Sequence, residues 1–198
     1  LRYLAFIWLG VLLVTWNEVV GHRPLEWLAG KIWRHRLPFM AVNGLALIAV
    51  WVGGYLAIER LVARHYSARA AGLAAIDQVE VAANKIDRAA AMDEQYYYYR
   101  QMVEIYLLRL EKLLAAAGAT PTDADLDAAS RLANRLVSAS ESALAINSQA
   151  AINWATRGVA LSRLATLGID GAAEQARSAY DRAVLLEPAN PEWPYRAA

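Results

Sequence analysis

The chain has 198 residues, with 20 basic against 19 acidic side chains and a net charge of +1. That balance argues against a nucleic-acid binder, which needs a basic face, and the absence of cysteine excludes disulfides and thiolate metal sites. Hydrophobic residues make up 58% of the chain, above the roughly half that is usual for soluble domains. The excess is uneven. Five of the seven tryptophans (Trp8, Trp16, Trp27, Trp33 and Trp51) lie at or before residue 51, whereas the sequence from about residue 60 onward is alanine-rich and charged. Two regions in two different solvents are therefore expected.

In chain order, Tyr3–Asn17 is apolar and reaches crossing length if Val19 and Val20 join it. A first transmembrane helix is expected over residues 3–20. Phe39–Ile58 is a run of 20 residues without a charge. As a helix rising 1.5 Å per residue it spans about 30 Å, the hydrocarbon thickness, so a second span is expected over 39–59. Gly44, Gly53 and Gly54 are ordinary in such a helix. Between the two, residues 21–38 suit an interfacial loop or short helix: Pro24 can open one, and Trp27, Lys31, Trp33, Arg34 and Arg36 fit a membrane–water boundary. Arg23, Lys31, Arg34 and Arg36 on one side balance Arg2, Arg60, Arg64 and Arg69 on the other, which leaves the orientation open.

Past residue 60 a pattern recurs. Tyr180, Ala183 and Pro188 share their spacing with Ser140, Ala143 and Ser148 and with Ile86, Ala89 and Glu94; Ala82, Leu136 and Ala176 stand seven residues before the three alanines. These are the inner positions of the second helix of a pair. A first helix precedes each: Tyr66, Ala70 and Leu73 in one, Tyr99, Val103 and Tyr106 in the next, Trp154, Gly158 and Leu161 in the last. Closely packed helix axes need alanine or glycine where they cross, and a large neighbouring side chain fills the gap. The pattern resembles the tetratricopeptide repeat (TPR), whose helix pairs stack into a superhelix because one pair cannot bury its faces alone. The fold class expected is all-α: two transmembrane helices followed by a TPR-like solenoid over 60–198. Its pairs fall over about 60–92, 96–147 and 151–187, with a fourth opening at 191. The alanines lie farther apart than the usual period, with the extra length between the helices of a pair, at AAAGATPTD and LGIDG.

No constellation looks catalytic. His22, His35 and His65 flank the spans and read as interfacial polar residues. Asp123, Asp125 and Asp127 begin a calcium-loop pattern, but Ala128 stands where its glycine belongs and Asn134 where its glutamate belongs. A helix start fits better, with Thr122 as N-cap and Asp125 three residues on. No catalytic, cofactor-binding or metal-binding residue is assigned. In the run Tyr96–Tyr99, Tyr99 should face the neighbouring helix with Val103 and Tyr106. Tyr97, Arg100 and Glu104 should face the groove or water, with Thr156, Val159 and Arg163 as the groove positions of the next pair. These six form the candidate partner-binding set.

Late membrane spans running into an alanine-rich array that ends GAAEQARSAYDRAVLLEPANP resemble the C-terminal part of bacterial O-antigen ligase-like or polymerase-like membrane proteins. The resemblance implies a glycan-transferring parent in the cytoplasmic membrane, acting at its outer face, with its catalytic loop upstream of these residues. This chain would then supply an anchor in the lipid bilayer and an arm that docks protein partners through the TPR groove. The alternative is a non-catalytic TPR subunit of a larger membrane complex.

Overall fold

The computed structural model describes residues 33–118 and 120–190, with side chains from residue 43 onward. Every regular element among them is helical: α1 (Trp33–Ala75), α2 (Val79–Met92), α3 (Tyr96–Ala117), α4 (Asp123–Ile146), α5 (Ala151–Thr166) and α6 (Ala172–Leu186). The chain divides into two compact units, Leu1–Gly54 and Tyr55–Ala198. The described part of the first is the beginning of α1.

That beginning behaves differently from the rest. Among the described residues, α1 alone is long and apolar enough to cross a membrane, and none of its apolar window from Asn43 is buried. Leu45, Ile48, Val50 and Trp51 are each at least 60% exposed. The expected first span over 3–20, most of the interfacial segment over 21–38 and the fourth pair from 191 lie outside the described residues. Among the described residues there is one candidate span, which corresponds to the second of the two expected. The separate boundary segment shortens, because helix is already continuous from Trp33, through Pro38 and into the repeats. Proline lacks a backbone donor and removes one helical bond there, which a long helix tolerates.

The second unit is built from antiparallel pairs. α3 packs along α4 and α5 along α6; α2 lies against α3, α4 against α5, and α3 also meets α5. On α1 the side chains at Ala63, Tyr66, Ala70 and Leu73 turn inward, spaced three or four residues apart as one helix face requires. Lys85 on α2 sits over the Tyr66 ring, 5.1 Å from its centroid. Ala89, Ala143 and Ala183, the crossing positions of the three second helices, are fully buried.

The ends of the helices carry their own chemistry. Thr122 caps α4: its hydroxyl accepts from the Asp125 N–H at 3.3 Å, while the Thr122 N–H donates to the Asp125 carboxylate at 3.0 Å. This is the reciprocal capping box anticipated from sequence. α5 stops at a Schellman turn, in which the Gly168 N–H bonds the Ala165 carbonyl and the Ile169 N–H bonds the Leu164 carbonyl. Gly168, at φ 80, supplies the left-handed residue. The same two bonds end α1, from Asp77 to Ala74 and from Gln78 to Leu73. There the left-handed position is Asp77, at φ 69, a conformation that costs a non-glycine residue something. Lys112 from α3 holds it, bonding the Asp77 carbonyl at 2.8 Å and its carboxylate at 2.5 Å.

Candidate protein-interaction face

The first helices of the three pairs, α1, α3 and α5, are stitched to one another by polar side chains. The Ser67 hydroxyl and Gln101 bond at 2.5 Å, and the Gln101 amide donates to the Ser67 carbonyl at 3.0 Å, joining α1 to α3. Arg163 on α5 meets Glu111 on α3 at 2.7 Å. Along α3, Tyr97, Arg100, Glu104, Leu108 and Glu111 follow one another at three- or four-residue steps. Tyr97 and Arg100 are half-buried, and Glu104 and Leu108 are exposed. On α5, Thr156 and Val159 are half-buried and Arg163 is exposed.

The two candidate triplets are each a single helix face, but they are not in register. With Trp154 as the counterpart of Tyr99, the counterparts of Tyr97, Arg100 and Glu104 are Ile152, Ala155 and Val159. Ala155 is buried. Thr156 donates its hydroxyl to the Ile152 carbonyl at 2.8 Å, a bond within its own helix. Arg163 is tied up by Glu111. Val159 is therefore the member of the second triplet that matches the first.

Two residues missed in the sequence matter to the geometry. Tyr98 and Asn153 occupy the same place in successive pairs, one residue before Tyr99 and Trp154, and both are fully buried. Asn153 donates its amide to the Ala143 carbonyl at 3.1 Å and to the Asn147 carbonyl at 2.8 Å, capping the end of α4. The Tyr98 hydroxyl meets no partner with hydrogen-bond geometry among the described residues. Burial pushes its pKa up, and the neighbouring Tyr97 hydroxyl lies near enough to add to the effect. The run of four tyrosines hides this, because adjacent helical residues point in different directions and more than one of those directions is covered here.

The other side of the array, where the second helices lie, carries two clefts of about 530 and 520 Å3. They are one feature repeated. Glu141, Leu144, Trp154, Ser178 and Ala179 line the first where Asp87, Ala90, Tyr99, Ser138 and Ala139 line the second. Their charges are met from within. Asp87 accepts from the Tyr106 hydroxyl at 2.5 Å and faces Arg135 at 3.9 Å, and Glu141 pairs with Arg157 at 3.2 Å. By contrast, Arg64, Arg100 and Glu104 have no ion pair among the described residues, and the Arg100 Nε is buried without a partner. The buried side-chain groups left unmet among the described residues are the Tyr98 hydroxyl and the Arg100 Nε on α3 and the Asn153 Oδ1 on α5. Among the described residues no group of three His, Asp or Glu converges as metal ligands would.

No protein-family model matches this chain, and no curated protein does either. Solved structures do resemble it. The Arabidopsis OM64 TPR domain is 14% identical with a TM-score of 0.51, over 70% of this chain and 93% of that one. The second TPR domain of human RPAP3, in complex with an HSP70 peptide, is 15% identical with a TM-score of 0.51, over 72% and 94%. The first TPR of Spaghetti (RPAP3), bound to the HSP90 peptide SRMEEVD, is 17% identical with a TM-score of 0.51, over 70% and 89%. The fold is TPR-like. At these identities the likeness is one of fold.

Proposed function

We propose that this chain is a membrane-anchored TPR-like scaffold that captures a polypeptide partner on the face formed by α1, α3 and α5. The observation that carries the reading is a contrast between the two clefts and the α1–α3 face. The charges lining the clefts are met from within, whereas Arg64, Arg100 and Glu104 stand without ion pairs among the described residues, and the Arg100 Nε is buried without a partner. The neighbours add support: two of them are TPR domains with a peptide bound. Anchoring rests on α1, whose apolar residues from Leu45 to Ile58 are exposed on every side. A helix hydrophobic all round and left exposed by the described residues suits a lipid phase. The order of span and repeats supports the finer proposal that the chain is the C-terminal anchor and docking arm of an O-antigen ligase-like envelope protein, with the active site elsewhere.

Photo-crosslinkers at Glu104, Val159 and Ser138 of the full chain, in its own host, test the partner face. A discrete adduct at Glu104 and Val159 with none at Ser138 is expected. Adducts confined to Ser138 would move the partner to the opposite side. Extraction of membranes with alkaline carbonate tests the anchor, and recovery of the chain in the soluble fraction would remove that part of the reading.

A further inference from the structure

Three contacts fix the level of the next two helices along α1. Asp93, just past α2, faces Arg60 at 3.9 Å, while Lys85, earlier in α2, sits over the Tyr66 ring. α2 therefore runs back toward the apolar end of α1. Gln101 bonds Ser67, so α3 runs away from that end again. The uncharged run of α1 closes at Ile58, and its last turn, Tyr55–Ile58, belongs to the same unit as the repeats. At 1.5 Å per residue, Arg60 stands about 3 Å and Ser67 about 14 Å beyond Ile58. Asp93 is then level with about 3 Å, and Tyr96, five residues before Gln101, with about 6 Å. The headgroup layer is about 5–8 Å deep on each side of a bilayer. A bilayer crossed by α1 as far as Ile58 holds the α2–α3 turn within that layer.

The side chains at this turn suit such a place. Met92, the last residue of α2, is 41% exposed. In the tyrosine run, Tyr97, Tyr98 and Tyr99 belong to the core or pack against it. Tyr96 stands outside that cluster, half-buried, with its ring edge-on to that of Tyr97 at 6.0 Å between centroids. Helical side chains lean toward the N-terminus of their own helix, and for Tyr96 that direction is toward the apolar end of α1. Tyrosine, with an apolar ring and a polar tip, is enriched where membrane meets water. Charge does not draw the turn to lipid. Arg60 and Arg64 are offset in number at this level by Glu59, Asp93 and Glu94, and Arg100 by Glu104 one turn further along α3. Carboxylates are costly in hydrocarbon, so the turn goes no deeper than the headgroups. We propose that the α2–α3 turn is a second membrane contact of this chain, with Met92 and Tyr96 resting in the headgroup layer beside α1 and with no preference for anionic lipid. The inference rests on the membrane-anchored part of the proposed function and adds the bilayer surface as the partner of a turn in the repeats.

The chain has no cysteine of its own, so single nitroxide labels can be carried by Met92→Cys, Tyr96→Cys and Val81→Cys in the full chain, reconstituted in phosphatidylcholine nanodiscs. Val81, at the opposite end of α2 and 44% exposed, is the control for Met92. The measurement is the ratio of label collisions with oxygen, which partitions into lipid, to collisions with a water-soluble nickel chelate. The expected result is a ratio shifted toward oxygen at positions 92 and 96 relative to 81, in variants that keep their helical circular dichroism. Adding phosphatidylglycerol should leave the shift unchanged. Equal ratios at all three positions would overturn the contact. So would a shift that appears only with the anionic lipid, because attraction between charges would then account for it. Protection of positions 92 and 96 from both reagents would mean that protein covers the turn, a second copy of the chain included, and would overturn it as well. A chain that carbonate extracts from membranes loses both the anchor and this contact. One that stays membrane-bound with equal ratios loses only the contact.

Discussion

Tyr106 shows how a single hydroxyl ties stability to pH. Burial pushes its pKa up to about 12, and the bond it donates to Asp87 adds to the rise. The unfolded chain releases the same proton near 10.0. The folded state therefore holds a proton that the unfolded state gives up, so the contribution is whole below 10.0 and declines as pH rises through about 12. Urea midpoints measured across that window should fall for the unaltered chain and fall less steeply for Tyr106→Phe; parallel curves would refute the assignment. Asn153 makes a plainer case. Asn153→Leu removes both amide donors from the end of α4 and should lower stability by roughly 1–3 kcal/mol, read from the same urea curves. No loss would mean that the α4 carbonyls find water instead.

Where helices cross, the pairs solve one packing problem in different ways. A Cβ added at Gly158 would come 2.6–2.8 Å from ring carbons of Tyr180, so α5 and α6 approach only because that position has no side chain. In the preceding pair Val103 takes the place of Gly158 and Ser140 that of Tyr180; in the first pair the corresponding residues are Ala70 and Ile86. All six are buried. Bulk moves between partners while the pair stays filled. Gly158→Ala should cost roughly 1–3 kcal/mol through overpacking, outweighing the ~1 kcal/mol that alanine gains over glycine in a helix. Gly158→Val/Tyr180→Ser, which copies the middle pair, should recover at least half the loss of Gly158→Val alone in a thermal-melt cycle. These crossings were legible in sequence because the small residues recur at fixed steps, and the Thr122–Asp125 cap because its partners stand three residues apart. The Glu111–Arg163 and Ser67–Gln101 stitches were not legible. They join residues from different pairs, and only the stacking decides which polar side chains face each other. For the same reason the groove register on α5 was misaligned with that on α3: spacing defines a face of one helix but not its alignment with the next.

At the scale of the molecule, the proposed anchor and the helical stack share one helix, α1, among the described residues. A truncated chain ending at residue 62 keeps the apolar run of α1 and loses the stack. It should still resist carbonate extraction and should give none of the polypeptide adducts expected at Glu104 and Val159. Persistence of partner capture in that truncate would relocate docking to the first unit.

The exchange of bulk at the crossings also fixes the order of the pairs along the chain. If α6 were transplanted behind α3, the Tyr180 ring would meet Val103 where the native neighbour is Ser140; if α4 were placed behind α5, Ser140 would face Gly158 across an empty space. Each second helix is keyed to its own first helix. Chimeras that shuffle them should aggregate or melt early even though every segment remains a good helix, and such an array would lengthen by duplicating complete pairs rather than by trading halves.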